Sequence, residues 1–139
     1  MLEGEYTSPL GEKNRVAIPK KLRVLLGEEI VITRGYEHCL IVVDQARWEI
    51  LLSEINKKPL LSMNVRDTKR FIIGGAFRIS LDTQGRFVLP ESLITYASIG
   101  AETTFLGVGE WVEIWDSNRW KDKLNELSIH AADIADRLS

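Results

Sequence analysis

The chain repeats itself, and this limits its possible folds more than any figure of composition. Leu10-Gly11-Glu12-Lys13-Asn14-Arg15-Val16-Ala17-Ile18-Pro19-Lys20-Lys21-Leu22 returns as Leu81-Asp82-Thr83-Gln84-Gly85-Arg86-Phe87-Val88-Leu89-Pro90-Glu91-Ser92-Leu93. Leu, Arg, Pro and Leu recur at one constant offset, and three apolar residues follow each Arg. A second echo keeps the same order: Asp44-Gln45-Ala46-Arg47-Trp48 is matched by Asp116-Ser117-Asn118-Arg119-Trp120. One coincidence of this kind would mean little, but two in register indicate a duplicated module. With 139 residues for both copies, each module is too short to bury a stable core alone.

Periodicity gives one element order for each copy. Ile79-Ser80-Leu81 and Phe87-Val88-Leu89 read as short strands around a polar loop, with Gly85 as its turn residue. Asn14 stands where that glycine would be in the first copy, and Asn is comparatively tolerant of positive φ. A proline follows each loop strand and suits a helix start, so short helices are expected over Pro19–Leu26 and Pro90–Ala97. Ile30-Val31-Ile32 with Leu40-Ile41-Val42-Val43 reads as a hairpin, and so does Thr104-Phe105-Leu106 with Val112-Glu113-Ile114-Trp115. Asp44 and Asp116 are placed to cap the helices that follow. Behind Asp44, Trp48, Leu51, Leu52 and Ile55 have helical spacing. Behind Asp116, Trp120, Leu124, Leu127, Ala131, Ile134 and Leu138 extend an apolar stripe to the C-terminus. A weaker helix is expected from Val65 to Ile73. The expected fold class is therefore α+β and β-rich, with modules over 1–59 and 76–139 and a connecting helix or linker over 60–75.

Several classes of chemistry have no support in the residues. No apolar run of about 18 residues is present, so no membrane-spanning helix is expected. Met1-Leu2-Glu3-Gly4-Glu5 is acidic, without the basic-then-apolar pattern of a secretory leader, and the cytoplasm is the expected compartment. Cys39 is the only cysteine. His38 beside it could hint at a metal or thiolate site, but zinc needs four ligands in close-spaced pairs and the others are missing; His130 has no motif around it. There is no phosphate-binding glycine loop, nucleophile elbow or zinc helix, so neither cofactor nor small-molecule substrate is expected. Glu49, Glu54, Asp122 and Glu126 read as solvated helix faces. Trp48 and Trp120, at matched positions, read as core anchors, while Trp111 and Trp115 on the second hairpin are candidates for a subunit contact.

The net charge is −2, which argues against a uniformly basic surface but not against a local one. Lys13, Arg15, Lys20, Lys21 and Arg23 crowd into the stretch from Ser8 to Arg23 against the single carboxylate Glu12. In the second loop, Asp82 and Arg86 bracket a tight turn closely enough to pair across its base, which leaves guanidinium donors to spare. The first loop has Gly11 in place of that Asp, so Arg15 is either braced by Glu12 or free. A free Arg beside Lys13 suits DNA phosphates or a guanine edge. A charged turn can also be no more than a solvated one.

The two loops, the Arg-x-x-Ile/Leu-Pro endings, the Thr33-Arg34-Gly35 and Gly107-Val108-Gly109 turns, the paired Asp-x-x-Arg-Trp segments and the opening Gly4-Glu5-Tyr6 together resemble the MraZ family over nearly the whole chain. The resemblance implies an AbrB-like module in each copy, the two forming an intramolecular, pseudo-dimeric swapped-hairpin barrel with peripheral helices. It also implies a ring of subunits and binding of double-stranded DNA at repeated promoter boxes ahead of a division and cell-wall gene cluster, hence a nucleoid-associated protein. The family's Asp-x-x-x-Arg signature carries onto Asp82 and Arg86; in the first copy only Arg15 carries over. The residues expected at DNA are Lys13, Asn14, Arg15, Gln84 and Arg86, with Asp82 bracing its loop. The competing expectation is an oligomeric scaffold whose basic loop is merely solvated. An antitoxin-type binder fits less well, because this chain has two copies and ends in a patterned helix. An enzyme would need a catalytic constellation that the residues do not offer.

Overall fold

A computed structural model describes residues 1–138 of the chain. The first copy contains β1 (Leu2–Pro9), a 3-10 turn (Glu12–Asn14), β2 (Arg15–Ala17), α1 (Lys20–Leu26), β3 (Glu29–Arg34), β4 (Leu40–Asp44) and α2 (Gln45–Asn56). After α3 (Met63–Ile72), the second contains β5 (Phe77–Ser80), β6 (Arg86–Val88), α4 (Glu91–Ala97), β7 (Glu102–Gly109), β8 (Val112–Asp116) and α5 (Ser117–Asp136). The architecture is α+β and β-rich. No helix among the described residues is long and apolar enough to cross a membrane.

The strands that flank the loops pair between copies, not within them. β1 runs antiparallel to β7, β5 to β3, and β2 to β6. The hairpins β3–β4 and β7–β8 form within their own copies and meet where β4 pairs with β8. The larger sheet therefore has the order β1-β7-β8-β4-β3-β5, and β2-β6 forms a second, two-stranded sheet. Exchanging the copies maps this order onto itself, as a duplicated chain with an internal pseudo-twofold axis requires. Local hydrophobic pattern specifies a strand but not its partner, which is decided by the face it must bury.

The main core lies on that axis. Val16, Ile18 and Leu22 from the first copy meet Phe87, Leu89 and Leu93 from the second, together with Ile30, Ile32, Phe105 and Ile114. Both faces of β3 are covered: Ile30 and Ile32 enter this core, while Val31 faces Val43, Trp48 and Ile72 beneath α2 and α3. Thr33 Oγ1 donates to the Ile72 carbonyl at 2.5 Å, tying α3 to the strand. On β7, Phe105 enters the core, and Leu106 packs with Cys39, Trp115 and Trp120. Trp48 is fully buried, whereas Trp120 is only half-buried, and its indole N–H lacks a hydrogen-bond partner among the described residues. Trp115 is buried within its own chain and Trp111 is exposed, so of the two only Trp111 is free to meet a neighbour.

The helix caps are carboxylates and a hydroxyl. Asp44 Oδ1 accepts the Arg47 N–H at 2.7 Å, and Asp116 Oδ2 accepts that of Arg119 at 3.2 Å while its other oxygen takes Gly100 N–H at 2.9 Å. Ser62 caps α3 through the Val65 N–H. Each such cap contributes about 1 kcal/mol.

Because the core is shared, damage in one copy should be felt in both. Phe105→Ala removes a fully buried ring and should cost about 3–5 kcal/mol. Urea unfolding followed by tryptophan fluorescence and by far-ultraviolet circular dichroism should give coincident transitions in both proteins. Separate transitions would mean that the copies unfold independently.

Candidate nucleic-acid interface

The two loops reach the same face because β2 pairs with β6. Arg15 lies opposite Val88, Val16 opposite Phe87, and Ala17 opposite Arg86. Val16 and Phe87 turn into the core, so the alternation of a strand sends Arg15 and Arg86 outward on one side as diagonal neighbours. Both side chains line the same two shallow depressions, one floored by Val16 and Ala17 and the other by Phe87 and Val88. Lys13, Arg15, Gln84 and Arg86 are exposed and Asn14 is half-exposed. The six site residues read from sequence thus fall on two adjacent loops, with Lys20 and Lys21 exposed at the start of α1.

Loop two is braced three ways. Asp82 Oδ1 accepts the backbone N–H groups of Gln84 at 2.9 Å and Arg86 at 2.8 Å, and Oδ2 takes Arg86 Nε at 2.8 Å. The backbone closes the turn through Gly85 N–H to the Asp82 carbonyl at 3.0 Å and Asp82 N–H to the Arg86 carbonyl at 3.1 Å. Arg23, reaching over from α1 of the other copy, donates to the Gln84 carbonyl. Gly85 has φ +75°, and a Cβ there would come within 2.5 Å of Arg23 Cδ and Nη1. The positive φ favours glycine there, and a larger residue would displace the Arg23 side chain.

Loop one has less holding it. Gly11 N–H donates to the Arg15 carbonyl at 2.8 Å, and Lys13 and Asn14 both take left-handed backbone, with φ 57° and 60°. No carboxylate lies within ion-pair distance of Arg15 among the described residues, Glu12 included. The residue matched to Arg23 is Ile94, which cannot donate. What the loops share is a crossed pair of bonds: Ile18 N–H to the Gly85 carbonyl at 2.9 Å and Leu89 N–H to the Asn14 carbonyl at 2.8 Å. Each loop is thereby pinned by the strand that leaves the other.

Arg23 is the residue whose part sequence reading missed. It was legible there only as one more cation near the loop. Comparing the copies position by position exposes it, as an Arg over a left-handed glycine in one half, where the matched positions of the other half hold an Ile and an Asn. His38 and Cys39 lie elsewhere: the His38 ring stacks on Tyr96 with centroids 5.0 Å apart, and burial pushes the Cys39 thiol up, keeping it protonated.

Comparison with known proteins agrees with this duplicated organisation. The family model of the MraZ protein matches the chain twice, over residues 1–71 and 72–138. A protein of Clostridium acetobutylicum named transcriptional regulator MraZ is 40% identical over 139 residues, covering 100% of this chain and 97% of its own. Proteins of the same name from Clostridium tetani and Roseiflexus castenholzii are 37% and 34% identical over the same 139 residues, with the same coverage.

The brace in loop two sets an acid limit. The backbone N–H of Arg86, then its guanidinium, hold the Asp82 carboxyl below its ordinary value of 3.8. A carboxylate lowered in the folded state stabilises the loop above the unfolded value and loses that contribution as pH falls through the folded one. In a nuclear magnetic resonance titration, the Asp82 carboxyl should therefore turn over below pH 3.8, with the Gln84 and Arg86 amide shifts following the same midpoint. A midpoint at or above the ordinary value would show that the carboxylate is not held.

Proposed function

The chain belongs to the MraZ family, and from that premise we propose that it is a sequence-specific DNA-binding regulator of transcription and not an enzyme. The observation that carries this reading is the convergence of Arg15 and Arg86 on one outward face, each on a loop pinned by the other copy. Arg is the side chain best suited to bidentate contact with guanine in the major groove, and Lys13, Asn14 and Gln84 beside it supply phosphate and base-edge donors. Asp82 keeps Arg86 oriented while leaving donors on its guanidinium free. The naming of the relatives as transcriptional regulators supports the same reading.

The exchange of strands between copies supports reading the molecule as an intramolecular pseudo-dimer of the swapped-hairpin barrel class, with modules over 1–59 and 76–139 joined by 60–75. We further propose that the chain assembles into a closed homo-oligomer, a ring, the form that a contact between unlike surfaces takes when its rotation closes. It would bind promoter boxes repeated ahead of a division and cell-wall gene cluster and so reside in the cytoplasm with the nucleoid. A net charge of −2 and few cations per face make a single module a weak binder, and repetition is the physical remedy.

Arg15→Ala should weaken binding by about 1–3 kcal/mol per site while leaving the fold intact, as read by fluorescence anisotropy on DNA from upstream of its own gene. Unchanged affinity in a folded variant would remove loop one from the interface. Arg86→Ala should also lower stability, since Asp82 loses its partner.

Binding should also depend on how the boxes are arranged. Linked modules raise avidity by roughly 10² to 10⁴ when spacing fits, while each phosphate contact contributes about −0.9 to the slope of log K against log salt. One box should thus bind weakly with a shallow salt dependence, and several boxes tightly with a steep one. Moving a box by half a helical turn, about 5 base pairs, should weaken the complex. Equal affinity for single, phased and misphased boxes would rule out the multivalent mechanism.

A further inference from the structure

The β2–β6 ladder turns Val16 and Phe87 into the core and Arg15, Ala17, Arg86 and Val88 outward. Its register sets Arg15 directly opposite Val88 and Arg86 directly opposite Ala17, so each cation has an apolar side chain about 5 Å away across the ladder. The outward face of an antiparallel pair in water is ordinarily polar. Here both outward positions not taken by arginine are apolar, and Val88 is 55% exposed. They are matched positions of the two copies, each two residues after its arginine. A single exposed valine is ordinary on a protein surface. One flanked by two arginines, with its counterpart across the ladder also apolar, belongs to a face of defined chemistry.

That chemistry matches the base edges of the major groove. Guanine presents paired acceptors there, which a guanidinium meets with paired donors, and thymine presents a methyl group, which takes apolar contact. The groove is about 12 Å wide and admits a two-stranded ribbon, and a ladder of this length, rising about 3.4 Å per residue, is short enough to enter it. Because the strands are antiparallel, loop one leads in at the Arg15–Val88 end and loop two at the Arg86–Ala17 end. Lys13 and Gln84, exposed on those loops, stand at the two ends of the ladder, where phosphates bordering the groove would lie. Ala17 is half-buried and ends at its Cβ, so of the two apolar side chains Val88 reaches farther out.

We propose that the outer face of the ladder enters the major groove and that Val88 makes apolar contact with the methyl group of a thymine beside the guanine taken by Arg15. Val88 is then a specificity-determining residue, since no other base of DNA carries that methyl. The inference rests on the DNA-binding reading given above and deepens it, naming a base and the side chain that selects it.

Replacing thymidine by deoxyuridine removes that methyl and nothing else. Fluorescence anisotropy would follow the full-length protein on DNA from upstream of its own gene, on the same DNA with deoxyuridine for every thymidine, and on a shuffled sequence. Wild type should bind thymine DNA about four-fold more tightly than uracil DNA for each methyl contacted, the ratio expected for burying one such group. Val88→Ala should bring the ratio close to one. Val88→Thr, which keeps a methyl and the β-branching that suits a strand, should retain most of it. Circular dichroism checks the fold, and light scattering checks that the mass of the particle is unchanged. A wild type indifferent to uracil would overturn the proposal without any variant, even if Val88→Ala melts early. A folded Val88→Ala that keeps the full ratio would overturn it too, and so would one that alters the mass of the particle but not the ratio. A wild type that does not distinguish its upstream DNA from the shuffled sequence would sink the DNA reading and this inference with it. One that prefers the upstream DNA yet ignores uracil would sink this inference alone.

Discussion

β2 and β6 are each only three residues long, and a ladder of that length does not persist alone in water. Its anchors lie below and at its ends. Val16 and Phe87 are buried beneath it, and the crossed bonds from Ile18 and Leu89 tie each outgoing strand to the opposite loop. Everything outward of this ladder inherits its register. A slip of one residue would turn Arg15 and Arg86 into the core and Val16 and Phe87 into solvent. The hydrophobic effect therefore fixes the direction in which the cations point before any charge is considered.

The two copies of the loop have diverged. Loop two keeps the carboxylate, the left-handed glycine and the Arg23 lid, so its guanidinium is oriented before any ligand arrives. Loop one has Gly11 where the carboxylate would be and Ile94 where the lid would be, and it holds its shape with backbone bonds and two residues at positive φ. Positive φ at Lys13 and Asn14 costs free energy, more for Lys than for Asn. A pre-ordered loop loses less entropy on binding, while a looser one can adapt to the backbone it meets. One face thus carries a heavily braced loop beside a sparsely braced one.

Much of this was legible in the sequence. The repeat, both hairpins, both capping aspartates and the short helices after each proline follow from local chemistry, and α3 was visible as a weak stripe around Val65. What the residues could not reveal on their own was the pairing of β1 with β7, β5 with β3 and β2 with β6. Strands such as Phe77–Ser80 and Arg86–Val88 read identically whether they pair within a copy or across copies, since alternation encodes a buried face and not a partner. The role of Arg23 escaped for the same reason: its partner, the Gln84 carbonyl, lies in the other copy and is a backbone atom that no side-chain pattern advertises. Trp115 looked like a surface residue on a hairpin and proved buried, because Leu106 of β7 and Cys39, just before β4, pack against it.

The electrostatics favour short-range recognition over long-range attraction. At physiological ionic strength the Debye length is about 8 Å, so carboxylates farther away than that would scarcely weaken a contact of Lys13, Arg15 or Arg86 with phosphate. At larger separations the net charge of −2 offers DNA no attraction to steer by. Under the multivalent binding proposed above, such a molecule would gain little from meeting DNA once and much from being held near it while a second face engages.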